Sequence, residues 1–553
     1  MERKLLSCMH FTVYVIAFLF FANQNLYSQT FAPFGSGAFG NAVYAVVEYN
    51  GELIIGGDFS SVNGIPANGI AVWNGLSWAP LASGINGGSV KSLAVFNGDL
   101  YVGGSFTTAG QVSANNIARW NGVSWSSLGI GVDDDVEAMA VHNGVLYIGG
   151  NFTNAGGLIA NSIASWNGTG WGTLGTGTNG RVNTIISFQN ELYAGGDFTS
   201  IGGVPVSRIS RWNGSNWNTV GTGIISGTDV FSFEVLNSEL IIGGMFSNVG
   251  GIPVNNIAKW NGNSYSGIAD GLSGSVRSLK VYLGDLYAGG EFSSAIGGVS
   301  ASSITKWNGV SFSPLNSGCN STVHSLCVYD KTLPAGGTFI TARGLAVNRL
   351  TRWGSRPQAP SLTGPPNASV NAGLTPLLEW DALDNASDYS VLVSTNPNFS
   401  SLIVDQGQII NNSYQIPAGL LSPGEVYFWK VKARNGMGDG PFSNIFYFSS
   451  LVTGTGVISE NVPEKYKLYE NYPNPFNPST KIKFDIPANG SNSNTKLIVF
   501  DALGREVTTL VNSNIEPGSY EFEFNALNIT SGIYFYTLIT ENFVDTRKMV
   551  LLK

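Results

Sequence analysis

The chain has 553 residues, too many for a single domain, and 71 of them are glycine against a typical share of about 7%. Only 12% are charged, about half the usual share, and the formal net charge is −8. An acidic chain this poor in charge is not built to follow a nucleic-acid backbone. Its two cysteines beyond the first 28 residues, Cys319 and Cys327, are too few for a disulfide framework.

Residues 1–28 carry Arg3 and Lys4, then an apolar run over 11–22 and a short polar exit, the pattern of a secretory signal peptide. Leu5-Leu-Ser-Cys8 has the look of a lipoprotein box, yet it precedes the apolar run instead of ending it. No later segment approaches the roughly 18 consecutive apolar residues of a spanning helix, so no integral membrane span is expected.

From 29 to 356 one unit recurs seven times, marked by Gly56-Gly57, Gly103-Gly104, Gly149-Gly150, Gly195-Gly196, Gly243-Gly244, Gly289-Gly290 and Gly336-Gly337. A second series, Trp73, Trp120, Trp166, Trp212, Trp260, Trp307 and Trp353, keeps the same step of roughly 46–48 residues, the range of propeller repeats. In the second repeat, Asn97-Gly98 and Asn121-Gly122 are hairpin signals that define strands over 90–96, 100–106, 116–120 and 124–128. The connections at 107–115 and 129–135 are longer and vary between repeats. They leave on the face opposite the tight turns, where ligand-binding residues are expected. The seventh repeat stops after Trp353 without a fourth strand, whereas Phe31-Ala-Pro-Phe-Gly-Ser-Gly aligns with Trp78-Ala-Pro-Leu-Ala-Ser-Gly of the first. The N-terminus therefore supplies the missing strand and removes two exposed sheet edges. The Gly-Gly pairs are read as places where neighbouring blades come too close for side chains.

Candidate chemistry is sparse. His142 and His324 fall at opposite ends of first strands in nonadjacent repeats, too far apart to share a metal. Asp133-Asp134-Asp135 is a weak calcium candidate, because consecutive aspartates point apart; a solvated acidic loop is favoured. Asp58, Asp197 and Glu291, each just after a Gly-Gly pair, are read as loop-supporting polarity. Arg119, Arg211, Lys259, Lys306 and Arg352 precede the repeat tryptophans, and Asp99, Glu191, Glu239 and Asp285 follow the first turns of four of these repeats. In the third repeat both charges vanish together, leaving Val145 and Ser165, so cross-strand ion pairs are expected instead of a basic ligand surface. The second aromatic of each repeat, such as Trp78, Trp125 or Phe312, is assigned to packing between blades. An oxidising compartment allows a Cys319–Cys327 bridge; the alternative is a buried Cys327 and an unrelated Cys319.

The repeats resemble kelch-like propellers. Residues 357–450 carry Leu378-Glu-Trp380, Tyr389-Ser-Val-Leu-Val393 and a strand ending Tyr427-Phe-Trp-Lys-Val431, and resemble a fibronectin type III domain with Trp380 as core tryptophan and Tyr427 as corner tyrosine. After a linker at 451–464, residues 465–553 hold Tyr472-Pro473-Asn474-Pro475-Phe476-Asn-Pro-Ser-Thr-Lys481, Ser531-Gly-Ile-Tyr-Phe-Tyr536 and Lys548-Met-Val-Leu-Leu-Lys553. These resemble the type A C-terminal sorting domain of the bacterial type IX secretion system. That resemblance implies the secretion machinery as partner, with Pro473, Asn474, Pro475, Phe476 and Lys548 in its motifs, and delivery outside the cell or to its surface. The expected fold is all-β, a seven-bladed propeller closed by an N-terminal strand and followed by two Ig-like β-sandwiches. The expected function is non-catalytic binding or adhesion toward a glycan or protein, with no cofactor and no nucleic acid. The alternative is an extracellular carbohydrate-active enzyme using loop carboxylates such as Asp133–Asp135.

Overall fold

The computed structural model describes residues 28–370, 372–450, 456–459, 462–488, 494–526 and 529–553. The expected signal peptide, apart from Ser28, lies outside the described residues, as does part of the expected linker. The fold is all-β, with no α-helix among the described residues. Contacts divide the chain into residues up to Arg356 with Asn435–Gly438, and Pro357–Arg434 with Asp439–Lys553.

The first unit contains seven antiparallel sheets whose main path has four strands. In the second repeat these are Ser89–Phe96, Asp99–Ser105, Ile117–Trp120 and Trp125–Ser127, within two residues of the turn-based expectation. Thr30–Pro33 pairs with Leu350–Gly354, placing Phe31 opposite Trp353 in the sheet of the seventh repeat. Phe31 is 2% exposed and meets Trp353 edge-on at 4.9 Å. The first strands touch from one repeat to the next, and Ala38–Tyr49 also touches Val323–Leu326.

The two glycines of each pair do different jobs. A Cβ on the first would strike the next sheet: Gly56 would meet Val90 Cγ1 at 2.3 Å, Gly289 would meet Val323 Cγ1 at 2.5 Å, and Gly336 would meet Val43 Cγ1 at 2.5 Å. A Cβ on the second would strike the backbone of its own first strand, with Gly104 2.1 Å from Ser89 O and Gly196 1.9 Å from Arg181 O. The expectation of inter-blade crowding thus holds for the first glycine only.

The second aromatic of a repeat binds its sheet to the preceding one. The indole N–H groups of Trp78, Trp171 and Trp217 donate to the carbonyls of Phe34, Leu128 and Leu174, and Tyr265 Oη donates to Val220 O at 2.6 Å. Their faces pack on the repeat tryptophans, as in Trp120–Trp125 at 5.2 Å. All four expected ion pairs form: Asp99–Arg119 at 2.6 Å, Glu191–Arg211 at 2.8 Å, Glu239–Lys259 at 2.7 Å and Asp285–Lys306 at 2.9 Å. Each crosses diagonally between second and third strands; Arg119, for instance, lies opposite Tyr101, two residues beyond Asp99.

Cys319 and Cys327 are both free thiols, so the bridge is ruled out in this structure. They belong to different packing layers, Cys319 with Phe31 and Tyr287, Cys327 with Phe34 and Leu53. Burial raises both thiols, Cys327 to about 12, which suits inert core groups.

In the second unit, residues 357–450 form a three-stranded and a five-stranded sheet around Trp380, Val391, Tyr427 and Trp429. Tyr427 Oη accepts the N–H of Ser422, five residues upstream, at 2.7 Å. The last module packs the sheet Gly456–Ser459, Gly518–Asn525, Ser479–Ile486 and Lys467–Leu468 on one made of Glu506–Asn514, Asn494–Asp501, Gly532–Ile539 and Val544–Leu551. Gly456–Ser459, expected in a linker, is a strand of this module and pairs Val457 with Tyr520.

Candidate functional site

The feature that the sequence reading missed is a β-bulge in every first strand of the seven sheets. The register skips one residue between Val43 and Ala45, Val90 and Ser92, Val136 and Ala138, Val182 and Thr184, Val230 and Ser232, Val276 and Ser278, and Val323 and Ser325. The skipped residues are Tyr44, Lys91, Glu137, Asn183, Phe231, Arg277 and His324. A bulge leaves its extra residue out of the ladder and re-aims its side chain. All seven of these residues are half-buried, while the valine before each is fully buried. The signal was present as Val-x-small, with x different in every repeat, alongside the second glycine that makes room for the bulged backbone.

Bulged side chains of three neighbouring sheet pairs meet directly, and the seven positions together are termed the axial ring. Lys91 Nζ lies 2.7 Å from Glu137 and 2.5 Å from Asp135. Asn183 Nδ2 donates to Asp229 and to Val230 O, each at 3.3 Å. The Arg277 guanidinium sits 4.0 Å over the Phe231 ring and 3.4 Å from Glu291. His324 and Tyr44 meet edge-to-face at 5.2 Å. Burial, reinforced by the Arg277 charge and offset by Glu291, lowers His324 to about 4, so its imidazole is neutral near pH 7. Burial, then the Asp58 charge, raises Tyr44 and keeps its phenol protonated.

Beside this ring, between the first and second sheets, an open cleft of about 360 Å³ is lined by Asp58, Ser60, Asn68, Asn86 and glycines including Gly87 and Gly88. Ser60 and Asn68 bound the 60–68 loop expected on the long-loop face. Asp58 accepts from Asn41 Nδ2 at 2.7 Å, and Glu291 also accepts from Ser275. Asp197 accepts from the Arg181 amide at 2.5 Å.

The calcium candidate dissolves into three separate roles. Asp133 takes the N–H groups of Thr153 and Asn154, both at 2.8 Å, together with their side chains. Asn179, Ser273 and Asn320 receive the equivalent amides in other repeats, so this position caps a loop in each of them. Burial opposes ionisation of Asp133, yet the four hydrogen bonds outweigh it and hold the carboxyl at about 2. Asp134 accepts from Asn151, and Asp135 pairs with Lys91. Among the described residues no three His, Cys, Asp or Glu side chains converge on one point. His142 Nδ1 lies 2.8 Å from Ser187 Oγ, and Asn143 Nδ2 lies 3.0 Å from Nε2. An amide donor at Nε2 leaves the neutral ring's proton on Nδ1, so His142 donates to Ser187 and takes no proton from it.

In the C-terminal module the motif residues are fastened to the last strand. Phe476 is 2% exposed, its N–H donates to Val550 O, and its carbonyl accepts Leu552 N–H. Asn474 donates to Lys548 O at 3.2 Å and accepts Val550 N–H at 3.0 Å. Pro473 O accepts Thr480 Oγ1 at 2.7 Å. The Pro-Asn-Pro-Phe segment and the closing Lys548 strand are therefore one unit.

Residues 470–552 match the secretion system C-terminal sorting domain. Residues 50–71 match a domain of unknown function (DUF5122) described as a beta-propeller. No protein of curated function matches the chain in sequence. Among solved structures, PorZ, an essential bacterial surface component of the type-IX secretion system of Porphyromonas gingivalis, is 12% identical. That match covers 92% of this chain and 66% of PorZ, with a TM-score of 0.30. An α-L-rhamnosidase from Dictyoglumus thermophilum is 14% identical over 35% of this chain and 28% of its own, with a TM-score of 0.18. Likenesses at these scores carry no argument about activity. The sorting domain supports type IX export to the cell surface or beyond, and no helix among the described residues is long and apolar enough to cross a membrane.

Proposed function

We propose that this is a non-catalytic binding protein exported by the type IX system, whose first unit is a seven-bladed, kelch-like propeller that takes its ligand at the axial ring on the long-loop face. Closure by the N-terminal strand is supported by the Phe31–Trp353 register and by the Gly336–Val43 approach of last sheet to first. The fibronectin-type-III reading of 357–450 is supported by the buried Trp380 and by the Tyr427 bond to Ser422, and its role is that of a spacer between propeller and sorting domain.

The observation that carries the reading is the seven-fold bulge. Each repeat breaks its ladder at the same place to re-aim one side chain, and that side chain differs in every repeat while the valine before it is constant. A scaffold that holds its core constant while varying one rim presents that rim. The enzyme alternative requires a free acid and base, whereas Asp135 and Glu137 are both tied to Lys91 and Asp133 is consumed as a cap.

The test screens the purified full chain against a glycan array and a displayed peptide library, alongside a Tyr44→Ala/Arg277→Ala/His324→Ala triple variant and a tight-turn variant, Leu76→Ser/Val123→Ser. Ligands lost with the ring variant and kept by the turn variant support the reading. The reverse pattern moves binding to the opposite face and overturns it.

A further inference from the structure

The axial ring is not uniform. On one side its polar groups satisfy one another: Lys91 with Asp135 and Glu137, and Asn183 with Asp229 and Val230. On the other side, across the sixth, seventh and first repeats, Tyr44 Oη and both His324 ring nitrogens have no hydrogen-bond partner among the described residues, and both side chains are half-buried. Asp58 of the cleft pairs across the ladder with Ala42, two residues before Tyr44, which sets the cleft next to this sector.

The chemistry of the sector is specific. It offers aromatic surface from Tyr44 and His324, and groups that both donate and accept, namely a phenol and a neutral imidazole. Arg277 is offset by Glu291, so neither an anion nor a cation gains a net counter-charge there. The adjoining cleft adds the amides and hydroxyl of Ser60, Asn68 and Asn86, and the Asp58 carboxylate, which accepts from Asn41 and can accept a further hydroxyl. Its two apolar lining residues, Phe59 and Ile85, are only 5% and 2% exposed, so the cleft gives a peptide's apolar side chains no pocket. Paired donors and acceptors beside aromatic faces match a ligand that is rich in hydroxyls, carries C–H faces and has no charge.

We infer that the Tyr44–His324–Arg277 sector and the cleft at Asn68 and Asn86 together bind a neutral oligosaccharide, one sugar on the aromatic sector and the next along the cleft. The inference rests on the axial ring being the binding site and adds the ligand class and the sector.

The test titrates the full chain with the strongest-binding neutral hexose or deoxyhexose oligosaccharide from an array that also carries sulfated and uronic-acid glycans and unrelated peptides. Tyr44→Phe, His324→Gln and Asn86→Ala are each expected to weaken binding by about three- to tenfold, the cost of one hydrogen bond, with unchanged melting temperatures. Val123→Ser, on the tight-turn face, is expected to stay within about twofold. Selection of only charged glycans or only peptides overturns the ligand class; if that binding still falls on ring substitution, the axial site survives. Neutral-glycan binding that falls with Lys91→Ala and Asn183→Ala but ignores Tyr44→Phe and His324→Gln overturns the sector and leaves the ring. Binding that ignores every ring substitution overturns both.

Discussion

The N-terminal strand gives the sharpest test of the proposed ring. Phe31 is 2% exposed, packs among Tyr287, Leu315 and Trp353, and reaches the seventh sheet only through Thr30–Pro33. Truncating a well-packed phenylalanine to alanine costs about 3–5 kcal/mol through lost transfer energy and the cavity left behind. Phe312 holds the same place in the sixth repeat, 7% exposed, in a strand continuous with its sheet. If Thr30–Pro33 is as integral as its counterpart, Phe31→Ala and Phe312→Ala should lower stability equally, within about 1 kcal/mol of each other, by urea unfolding followed through tryptophan fluorescence. Amide exchange at 351–353 should rise in Phe31→Ala, because those residues lose their outer neighbour. A cost below about 1 kcal/mol for Phe31→Ala, beside a full penalty for Phe312→Ala, would show a loosely held strand and refute closure.

Gly104→Ala places a Cβ 2.1 Å from the Ser89 carbonyl, a backbone atom that cannot step aside. It should therefore destabilise by about 2–4 kcal/mol in urea and, by flattening the bulge, disturb Lys91; a neutral outcome would separate the second glycine from the bulge. Asp133 is held at about 2, below an unfolded carboxyl near 4, so its stabilisation is complete above pH 4 and is lost as pH falls through 2. Being exposed, it contributes less than about 1 kcal/mol. Asp133→Asn, which copies Asn179 and Asn320, should keep the caps and remove that acid dependence, and thermal melts from pH 5 to 2 check it. His324, facing Tyr44, Arg277 and Glu291, titrates at about 4 when folded and near 6.5 when unfolded, so the unfolded chain binds a proton that the folded chain refuses. Stability should be full above about pH 6.5 and fall by about 1–3 kcal/mol on descent to pH 4. His324→Gln should flatten this slope, and an unchanged slope would contradict the burial of the imidazole.

Periodicity made the repeat framework legible. Asn-Gly turns and Trp spacing located the sheet strands to within two residues, because both report local backbone geometry that a single sequence must encode. The ion pairs were legible for another reason: Val145 and Ser165 lose both charges together in the third repeat, a comparison internal to the chain. The axial ring was not legible as a site because its residues share no chemistry; tyrosine, lysine, glutamate, asparagine, phenylalanine, arginine and histidine register only as variation. Searching by residue type selected Asp133–Asp135 instead, whose density in sequence reflects three different caps and pairs. Cys319 and Cys327, eight positions apart along the chain, fall into separate layers because successive residues of a strand face opposite sides of its sheet: Leu326 joins the layer of Cys319 and Cys327 the next one.

Pairing the first strand with the last also imposes an order on biogenesis. Ala32 and its hydrogen-bond partner Thr351 are separated by 319 residues. At about 5–20 residues per second of synthesis, the first strand waits roughly 15–60 s before its neighbour exists. Throughout that interval Thr30–Pro33 has no partner edge, and the final docking carries the slow kinetics of a highly non-local contact. Vectorial emergence thus postpones the rigid state, leaving a chain bound for export threadable until almost all of its first unit has been made.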